Sequence, residues 1–494
     1  MVVDIGTVTV AILAGSVALV VLRYIQARKP VSNYPPGPWG LPFLGSLLQF
    51  QTDHQRYFMK LGDKYGGVCS YMFGGKNVVI LNGIESIKEA LVTKGNDFAD
   101  RPENYAVTLY NPQYLGLFDA HFNETWYNQR HFTHKTLRGF GFGKTSFESK
   151  IVEEVEFLIE YFKANQNKPV DICNFITNCV ANIICSITFG QRYNHFEDPA
   201  FLRAMNCIRD WFTAAGSLTL QMGHIFPFLK PFLGKQVGAV HEAAGKLESF
   251  LLAQIAKKQD SADATEEPRD FIESYLQQIK EDKEGKFSLL YLKQNIMDLF
   301  AAGTETTSTS LTWAVLYMMT HPNVQENVQK ELDEVVGREK LPSYSNRGDC
   351  PYTEATLLEL QRIISLVPVV PHATTCATTL RGYNLPANCE VWANLWSIHH
   401  DPKLYPQPEK FDPRRFLNED GSLKKNESFM PFGAGRRVCM GESLAKMELF
   451  LFFTGMLSQF SFAIPEGTPP PSLEGDLSVT YMPKPFEVVI RERI

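Results

Sequence analysis

The chain has 494 residues, of which 48 are lysine or arginine and 54 are aspartate or glutamate, so its formal net charge is −6. This mild balance argues against a dedicated nucleic-acid-binding protein, which would carry a basic excess. The nine cysteines include no C-x-x-C pair, which argues against a disulfide framework and favours a reducing compartment. The length allows about three domains of ~150 residues, or one unusually large domain.

The N-terminal segment predicts a membrane anchor over residues 1–24. The run Ile5–Leu22 is uncharged and only just long enough to span a bilayer. Its positive charges, Arg23, Arg28 and Lys29, follow the run, whereas a cleavable signal peptide carries them before it. By the positive-inside rule, the rest of the chain is then cytosolic. The alternative is a short buried helix.

Residues 25–45 predict a basic and proline-rich hinge between the anchor and the body of the protein. The sequence Pro35-Pro36-Gly37-Pro38 cannot continue a helix, because proline fixes φ and lacks an N–H donor. Residues 46–494 contain no polar linker long enough to separate domains. We therefore expect one large domain there, mainly α with a small β portion.

Several elements of this domain can be predicted from residue patterns. The runs Val68–Phe73 and Asn77–Leu81 flank Gly74-Gly75 and indicate a β-hairpin. Helical patterns dominate residues 125–335, and a later apolar helix is predicted over Glu442–Phe460, with short strands before and after it. The polar stretch Lys257–Arg269 predicts an exposed loop.

One apolar loop leaves two alternatives open. Residues 226–234 read FPFLKPFLG and lie between predicted helices. The loop is either tucked into the core or forms a second, shallow membrane contact, since a large exposed apolar patch marks an interaction surface.

The segment PFGAGRRVCMG carries the strongest chemical signal in the chain. Gly435 and Gly441 allow turns and close approaches that a Cβ would block. Cys439 precedes the predicted helix, whose dipole and free N–H groups favour a thiolate over a thiol. Arg437 offers a planar fork for a carboxylate, and Phe432 can shield the sulfur from water. The alternative is an inert buried cysteine.

The spacing F-x-x-G-x-R-x-C-x-G resembles the haem-thiolate signature of the cytochrome P-450 monooxygenases. This resemblance implies the cytochrome P-450 fold behind an N-terminal transmembrane helix, with residues 46–494 as the catalytic domain. It also implies haem b as the cofactor, Cys439 as the axial ligand of its iron, and Phe432 and Arg437 as neighbours of the cofactor. In such proteins, thiolate donation favours cleavage of the O–O bond.

The sequence FAAGTETTSTS is a second region of resemblance. Gly303 and the hydroxyl-rich run after it are poor helix formers, a conflict expected where function overrides propensity. The small residues Ala301, Ala302 and Gly303 are predicted to leave room for a flat cofactor. The segment is similar to the family's oxygen-activation helix, which implies that Glu305 and Thr306 are catalytic and manage protons. The alternative is a solvated helix stripe.

A third set of residues resembles the family's contacts to the haem propionates. Trp126 and Arg130 stand four apart, so they share one helix face and match the family's W-x-x-x-R. By the same resemblance, Arg101, His372 and Arg437 complete this propionate clamp. Without the resemblance, His372 would be a turn residue and Arg101 a surface charge.

Glu359 and Arg362 also stand on one helix face, which alone would indicate only a surface ion pair. Together with Arg415 in the sequence FDPRRF, they resemble the family's structural Glu-Arg-Arg triad. We therefore expect these three residues to support the segment PFGAGRRVCMG, residues 431–441, which we call the cysteine loop, rather than to take part in the chemistry.

His131, Lys135 and Arg138 form a basic face on the helix that carries Trp126. They are either a solvated surface or a docking patch for an acidic electron donor, whose attraction would weaken with salt.

The resemblance covers essentially the whole chain and is strongest to the microsomal branch with the vertebrate drug- and steroid-metabolising families. His131 and Ala377 depart from the residues that are common there. The resemblance implies an endoplasmic-reticulum monooxygenase that inserts one oxygen atom of O2 into a lipophilic substrate. Electrons would come from NADPH through a separate flavoprotein reductase, with cytochrome b5 as a second partner and no nucleic acid.

Two other functions remain as alternatives: a haem-thiolate isomerase or dehydratase that needs no reductase, and a membrane-tethered binder of apolar ligands. The predicted pocket suits a lipophilic substrate, which leaves a fatty acid, a steroid and a foreign compound open. By the resemblance, this pocket is lined by Ala106–Leu109, Leu299–Ala302, Thr306, Leu366, Val369, Val370, Leu477 and Val479.

Overall fold

The computed structural model describes residues 5–49, 53–142, 147–194, 198–261 and 267–493, and these residues are mainly helical. Its α-helices are α1 (Ile5–Arg28), α2 (His54–Tyr65), α3 (Ile84–Lys88), α4 (Tyr105–Tyr110), α5 (Glu124–Gly139), α6 (Glu148–Ala164), α7 (Cys173–Thr188), α8 (Pro199–Ala215), α9 (Leu218–Ile225), α10 (Gly234–Ser261), α11 (Phe271–Glu281), α12 (Leu289–Thr320), α13 (Pro322–Val335), α14 (Pro351–Ile364), α15 (Trp396–His399) and α16 (Glu442–Gln459).

Within the described residues, short strands form four small sheets. The strands are β1 (Val68–Phe73), β2 (Lys76–Leu81), β3 (Pro169–Val170), β4 (Val369–Ala373), β5 (Thr378–Leu380), β6 (Tyr383–Leu385), β7 (Glu390–Asn394), β8 (Phe460–Ala463), β9 (Gly475–Leu477), β10 (Tyr481–Pro483) and β11 (Val488–Glu492). The largest sheet has the order β1-β2-β7-β4, in which β2 and β7 pair in parallel and the other pairs are antiparallel. This mainly α architecture with a small β portion agrees with the predicted fold class.

The helix α12 is the central element of the core. It has 32 residues, and nearly every side chain from Thr304 to Met319 is buried. Apolar side chains of α6, α7 and α16 join it in the largest hydrophobic cluster. A helix that is buried on all sides fixes the position of its few accessible residues, which matters for the site described below.

Most of the predicted elements are confirmed, with shifts of few residues. The hairpin forms between β1 and β2, and Gly74 at its tip has a φ of +56°, which glycine tolerates best. The predicted helix over Glu442–Phe460 is α16. The predicted loop over Lys257–Arg269 is partly wrong, because α10 continues to Ser261; residues 262–266 lie outside the described part of the chain.

The N-terminal run lies within a single helix, α1, of 24 residues. The helix continues four residues past the predicted anchor boundary and so includes Arg28. Several of its apolar side chains, such as Val10, Leu13 and Val17, are exposed. When the described residues are searched for helices with the length and hydropathy of a membrane span, none qualifies.

The apolar loop at residues 226–234 contains a 3₁₀ helix, Pro227–Phe232, and it combines both of the alternatives that the sequence left open. Phe226 and Leu233 are buried, as a loop tucked into the core would require. Phe228 and Phe232 are exposed by 70% and 81%, as an interaction surface would require.

The predicted Glu-Arg-Arg triad is present and lies in the interior rather than on the surface. Arg362 Nε lies 2.7 Å from Glu359 Oε2, and both side chains are completely buried. Arg415 Nε lies 3.1 Å from Glu359 Oε1. Glu359 is therefore compensated by two guanidinium groups, as a buried carboxylate requires.

The triad connects to the cysteine loop through one histidine. Arg362 Nη1 donates to the carbonyl oxygen of His399 at 2.8 Å. The His399 ring in turn accepts at Nε2 from the N–H of Met430, which directly precedes the loop, at 3.3 Å. This path supports the expected scaffold role.

Replacing Arg362 with alanine should cost about 3–5 kcal/mol of unfolding free energy, because Glu359 would lose its principal partner inside the protein. The matched control is Arg414→Ala, which removes an arginine that is 72% exposed and pairs with Asp412. That change should cost less than ~1 kcal/mol. Chemical denaturation of both variants tests this, and equal losses would contradict the assigned importance of the buried pair.

Candidate cofactor and oxygen site

The cysteine loop packs tightly against the π-helical turn that follows α3. Gly435 has a φ of +74°, and a Cβ there would collide with the carbonyl oxygen of Leu91. The backbone N–H of Cys439 donates to the carbonyl oxygen of Phe432 at 3.0 Å, which closes the loop. The glycine at 435 is thus required both by conformation and by space.

The Cys439 thiol is accessible to solvent, yet burial raises its pKa. This combination is expected for a group on the wall of an internal cavity, where protein surrounds a space wide enough for solvent. The backbone N–H groups of Gly441 and Glu442 lower the pKa, as predicted from the helix start. Desolvation outweighs these donors, so the pKa of the Cys439 thiol lies above its usual value.

Three arginines converge near this loop through backbone carbonyl groups. Arg437 donates to Ala99 at 2.7 Å, to Ala120 at 2.6 Å and to Leu117 at 3.3 Å. Arg101, which is buried, donates from Nε to Phe118 at 3.1 Å and from Nη1 to Pro371. Arg101 is therefore not a surface charge.

Arg130 and Trp126 join the same cluster from α5. Arg130 Nη2 donates to the carbonyl oxygen of Val438, next to Cys439, at 2.5 Å. The guanidinium carbon of Arg437 lies 4.0 Å from the centroid of the Trp126 indole ring. The indole Nε1 of Trp126 donates to the carbonyl oxygen of Leu117 at 3.0 Å. The predicted W-x-x-x-R face is thus directed at the cysteine loop.

His372 completes the cluster from β4. It is buried, and its Nδ1 lies 2.9 Å from the carbonyl oxygen of Phe98, so Nδ1 carries the proton. Burial and the neighbouring Arg101 hold the pKa of His372 well below its usual value. The imidazole is thus a neutral buried group rather than a turn histidine, and its Nε2 carries no proton.

This cluster holds more positive charge than the protein balances. Burial, followed by Arg101, lowers the pKa of Arg437 to about 8, and burial also lowers the pKa of Arg101 to about 10. Asp100 and Asp119 are the acids that attract Arg101 and Arg437, and desolvation raises the pKa of Asp119. A cluster of this kind fits a bound group with carboxylates, since buried cations require anionic partners. The residues present therefore fit the two propionates of haem.

The helix that resembles the family's oxygen-activation helix is α12. One of its small residues borders open space, and another allows close packing against a neighbouring helix. Ala302 is exposed although the helix around it is buried, so it borders open space. Thr306 donates its hydroxyl proton to the Ala302 carbonyl oxygen at 2.8 Å, which leaves its oxygen free to accept. Gly303 does not face this space, because a Cβ there would meet the Ile184 side chain of α7 at 2.6 Å.

Glu305 lies on another face of α12 and does not contact Thr306 in the described structure. Its Oε1 accepts from the Thr309 hydroxyl at 3.3 Å. Burial raises the pKa of Glu305, while Arg209 of α8 and the hydroxyl groups of Thr309 and Thr480 lower it. The acid and the alcohol are therefore adjacent in sequence but separated around the helix.

Other predicted residues are distributed around this space. His131, Lys135 and Arg138 are all exposed on α5. The residues predicted to line the substrate pocket belong to α4, α12, the β4 region and the turn after β9. Ala106 of α4 is buried against Leu220 and Leu233, so it packs toward α9 and α10.

The sequence analysis missed two acids that contact this region, the half-buried Asp298 and the buried Glu448. Asp298 of α12 binds the loop before α5, and burial and the nearby Asp119 raise its pKa to about 7. Glu448 of α16 accepts from the Thr307 hydroxyl of α12 at 2.9 Å. Both interrupt apolar runs within helices, which is the signal that could have identified them.

The sequence was also compared with known proteins. The profile described as Cytochrome P450 matches residues 35–490. Cytochrome P450 2U1 of Rattus norvegicus is 37% identical over 506 residues, covering 98% of this chain and 95% of that protein. Cytochrome P450 2B2 of Rattus norvegicus is 40% identical and covers 91% of each chain. Cytochrome P450 2J2 of Homo sapiens is 38% identical, covering 96% of this chain and 94% of that protein.

Glu448 predicts a specific dependence of stability on pH. Burial raises its pKa from 4.5 to about 8, so between these values the folded protein keeps a proton that the unfolded chain releases. The unfolding free energy should therefore fall as the pH rises, by up to ~1.4 kcal/mol per pH unit from this group. Glu448→Gln should make this decline shallower in urea titrations, whereas Glu442→Gln should not. Parallel curves for wild type and Glu448→Gln would contradict the assignment.

Proposed function

Because the chain belongs to the cytochrome P450 family, we propose that Cys439 is the thiolate ligand of its haem iron. The observation that carries this proposal is the convergence of Arg101, Arg130 and Arg437 with their surplus positive charge beside the cysteine loop. Trp126 and His372 belong to the same clamp, and Ala302 and Phe432 border the cofactor.

The protein is a haem-thiolate monooxygenase that acts on lipophilic substrates. Its cofactor is haem b, and its electrons come from NADPH through a separate flavoprotein reductase. When bound, haem supplies the activation of O2, one atom of which enters the substrate while the other becomes water. Membership in this family argues against an unreactive binder, and the similarity to cytochromes P450 2U1, 2B2 and 2J2 favours a monooxygenase over an isomerase or dehydratase.

The clamp residues hold the cofactor by its charge. Arg101 and Arg437 are already oriented by backbone carbonyl groups, so little side-chain entropy is lost when carboxylates bind. A hydrogen bond from His372 Nε2 to a carboxylate requires a second proton on the ring, because Nδ1–H is engaged by Phe98. We infer that this histidine becomes charged when a propionate approaches.

Thr306 and Glu305 have separate parts in proton handling. The Thr306 oxygen accepts and orients a water molecule on the accessible side of α12. Glu305 takes up and releases a proton at its carboxylate, a task that its raised pKa favours. Since the two side chains lie on different faces, water or a rotation of Glu305 must carry the proton between them.

The central test is Cys439→Ala. This variant should lose the long-wavelength band of the reduced carbon-monoxide complex that gives the family its name, because alanine offers no thiolate. Cys376→Ala, a change at the exposed cysteine between β4 and β5, should retain the band. Retention of the band in Cys439→Ala would refute the ligand assignment. Wild-type turnover with reductase should require NADPH, whereas an isomerase would act without it.

We also propose that α1 anchors the protein in the endoplasmic reticulum membrane as a single pass, with the catalytic domain in the cytosol. A helix of 24 residues has a length of about 36 Å, enough for the ~30 Å hydrocarbon core. The exposed apolar side chains and the basic residues at its end support this orientation.

A second membrane contact is supported by exposed aromatic residues in two neighbouring segments. Trp39 and Phe43 lie in the last part of the hinge, and both are 70% exposed. Gly74 packs between the Phe43 carbonyl group and the Phe226 ring, and the Phe226 ring centroid lies 5.7 Å from that of the exposed Phe228. The exposed Phe232 belongs to the same 3₁₀ helix as Phe228. Together they form an apolar surface suited to the lipid interface.

Deletion of residues 1–28 should weaken binding to lipid vesicles without abolishing it, because the aromatic surface remains. Adding Phe228→Ser and Phe232→Ser to the deletion should release the protein in a flotation assay. Leu423→Ser in the same truncated chain, at a residue 37% exposed elsewhere, is the control and should not release it. If the truncated chain without serine changes already fails to float, the second contact does not exist.

The exposed basic residues of α5 support docking of the reductase, with cytochrome b5 as a competing partner. His131, Lys135 and Arg138 lie on the helix whose inner face carries Trp126 and Arg130. An acidic donor bound there would lie close to the cofactor clamp, as efficient electron transfer requires.

A further inference from the structure

A short loop before α5 lies between α12 and the clamp, and Asp298 of α12 binds its backbone. Asp298 Oδ2 accepts from the N–H of Leu117 at 2.6 Å and from the N–H of Phe118 at 3.1 Å. Its other oxygen, Oδ1, accepts from Gln294 Nε2 at 2.9 Å. The carboxylate is thus fully engaged on both oxygens.

The peptide group between Leu117 and Phe118 bridges Asp298 and the clamp. Its N–H, from Phe118, faces Asp298, whereas its carbonyl oxygen, from Leu117, accepts from Trp126 Nε1 at 3.0 Å and Arg437 Nη1 at 3.3 Å. The next carbonyl group, that of Phe118, accepts from Arg101 Nε at 3.1 Å. Three clamp residues therefore depend on two adjacent carbonyl groups of this loop.

The charges at the two ends of the bridging peptide strengthen each other. A carboxylate at the N–H polarises the peptide group and makes its carbonyl oxygen a better acceptor for a guanidinium group. Asp298 and Arg437 occupy these two ends. The arrangement couples an acid on α12 to a cation of the clamp through one planar unit.

The loop is shaped to allow this close approach. Gly116 has a φ of +90°, and a Cβ at this position would collide with the Asp298 carboxylate. The chain has an acid at position 298 although burial and the nearby Asp119 both disfavour a negative charge there. An acid kept in such surroundings indicates a role beyond packing.

We propose that Asp298 is a positioning residue for the cofactor: by holding the Leu117–Phe118 peptide group, it orients Arg437, Trp126 and Arg101 toward the propionates. The proposal rests on the clamp assigned under the proposed function. In this role, Asp298 acts through the loop backbone that its carboxylate contacts.

The test measures the rate at which haem leaves the purified holoprotein for excess apomyoglobin. Asp298→Ala should release haem about tenfold faster, the size of effect that second-layer partners have on a bound group. Asp298→Asn keeps an acceptor for the loop N–H groups and should restore most of the retention. Asp270→Asn is the control, because Asp270 is a buried carboxylate that caps α11 far from the loop, and it should leave the rate unchanged.

Two further measurements separate positioning from general loosening. Hydrogen exchange of the Leu117 and Phe118 amides should accelerate in Asp298→Ala and less in Asp298→Asn, with α6 and α7 unaffected. The double variant Asp298→Ala/Arg437→Ala should release haem little faster than Arg437→Ala alone, because both changes break the same path. If Asp298→Ala does not fold, the amide exchange and haem release of Asp298→Asn are compared with those of Asp270→Asn.

The outcomes distinguish this inference from the proposed function. If Arg437→Ala does not accelerate haem release, the clamp assignment itself fails. If Arg437→Ala accelerates release but Asp298→Ala does not, the clamp stands and only the positioning role is overturned. Unchanged exchange of the Leu117 and Phe118 amides in Asp298→Asn, or additive effects in the double variant, would also overturn it.

Discussion

The site depends on one electrostatic constraint: three guanidinium groups, one buried and two half-buried, lie together with too few acids to balance them. Arg101, Arg130 and Arg437 cannot be satisfied by the carbonyl groups that orient them, because carbonyl dipoles do not cancel net charge. Asp100 and Asp119 attract Arg101 and Arg437, which leaves two carboxylates against three guanidinium groups, and burial raises the pKa of Asp119. A bound dianion therefore completes the electrostatics, which makes cofactor binding and stability of this region interdependent.

This constraint explains why the chain forms one domain where its length allowed about three. The clamp draws Arg101 from before α4, Trp126 and Arg130 from α5, His372 from β4 and Arg437 from the cysteine loop. Side chains so distant in sequence can meet at one anion only if the intervening helices pack as a single body. The completely buried Glu359–Arg362 pair contributes to that packing, and His399 carries its influence to Met430 and the loop.

The sequence was most informative where spacing alone determines the geometry. Helical periodicity places Trp126 and Arg130 on one face, and the strand pattern predicts the β1–β2 hairpin. The cysteine loop was interpreted from the spacing of its glycines and its cysteine. Sequence could not show that Gly303 serves packing against Ile184, or that Glu305 turns away from Thr306, because both depend on the tertiary neighbours. The sequence analysis also placed Lys257 in a loop, although α10 continues through it. The exposed end of a helix can be as polar as a loop, so composition alone does not distinguish the two.

The hydroxyl-rich run of α12 now has a physical explanation. Ser308, Ser310 and Thr312 donate to the carbonyl groups of Thr304, Thr306 and Ser308, so a run with poor helix propensity satisfies itself within the helix. Other polar side chains of the same helix have partners in different directions. Asp298 contacts the loop before α5, Thr307 contacts Glu448 of α16, and Glu305 faces Arg209 of α8. Each polar side chain therefore fixes the rotation of α12 about its axis from a different direction. Ala302 and Thr306 remain on the one accessible face, and their placement follows from the partners that occupy the others.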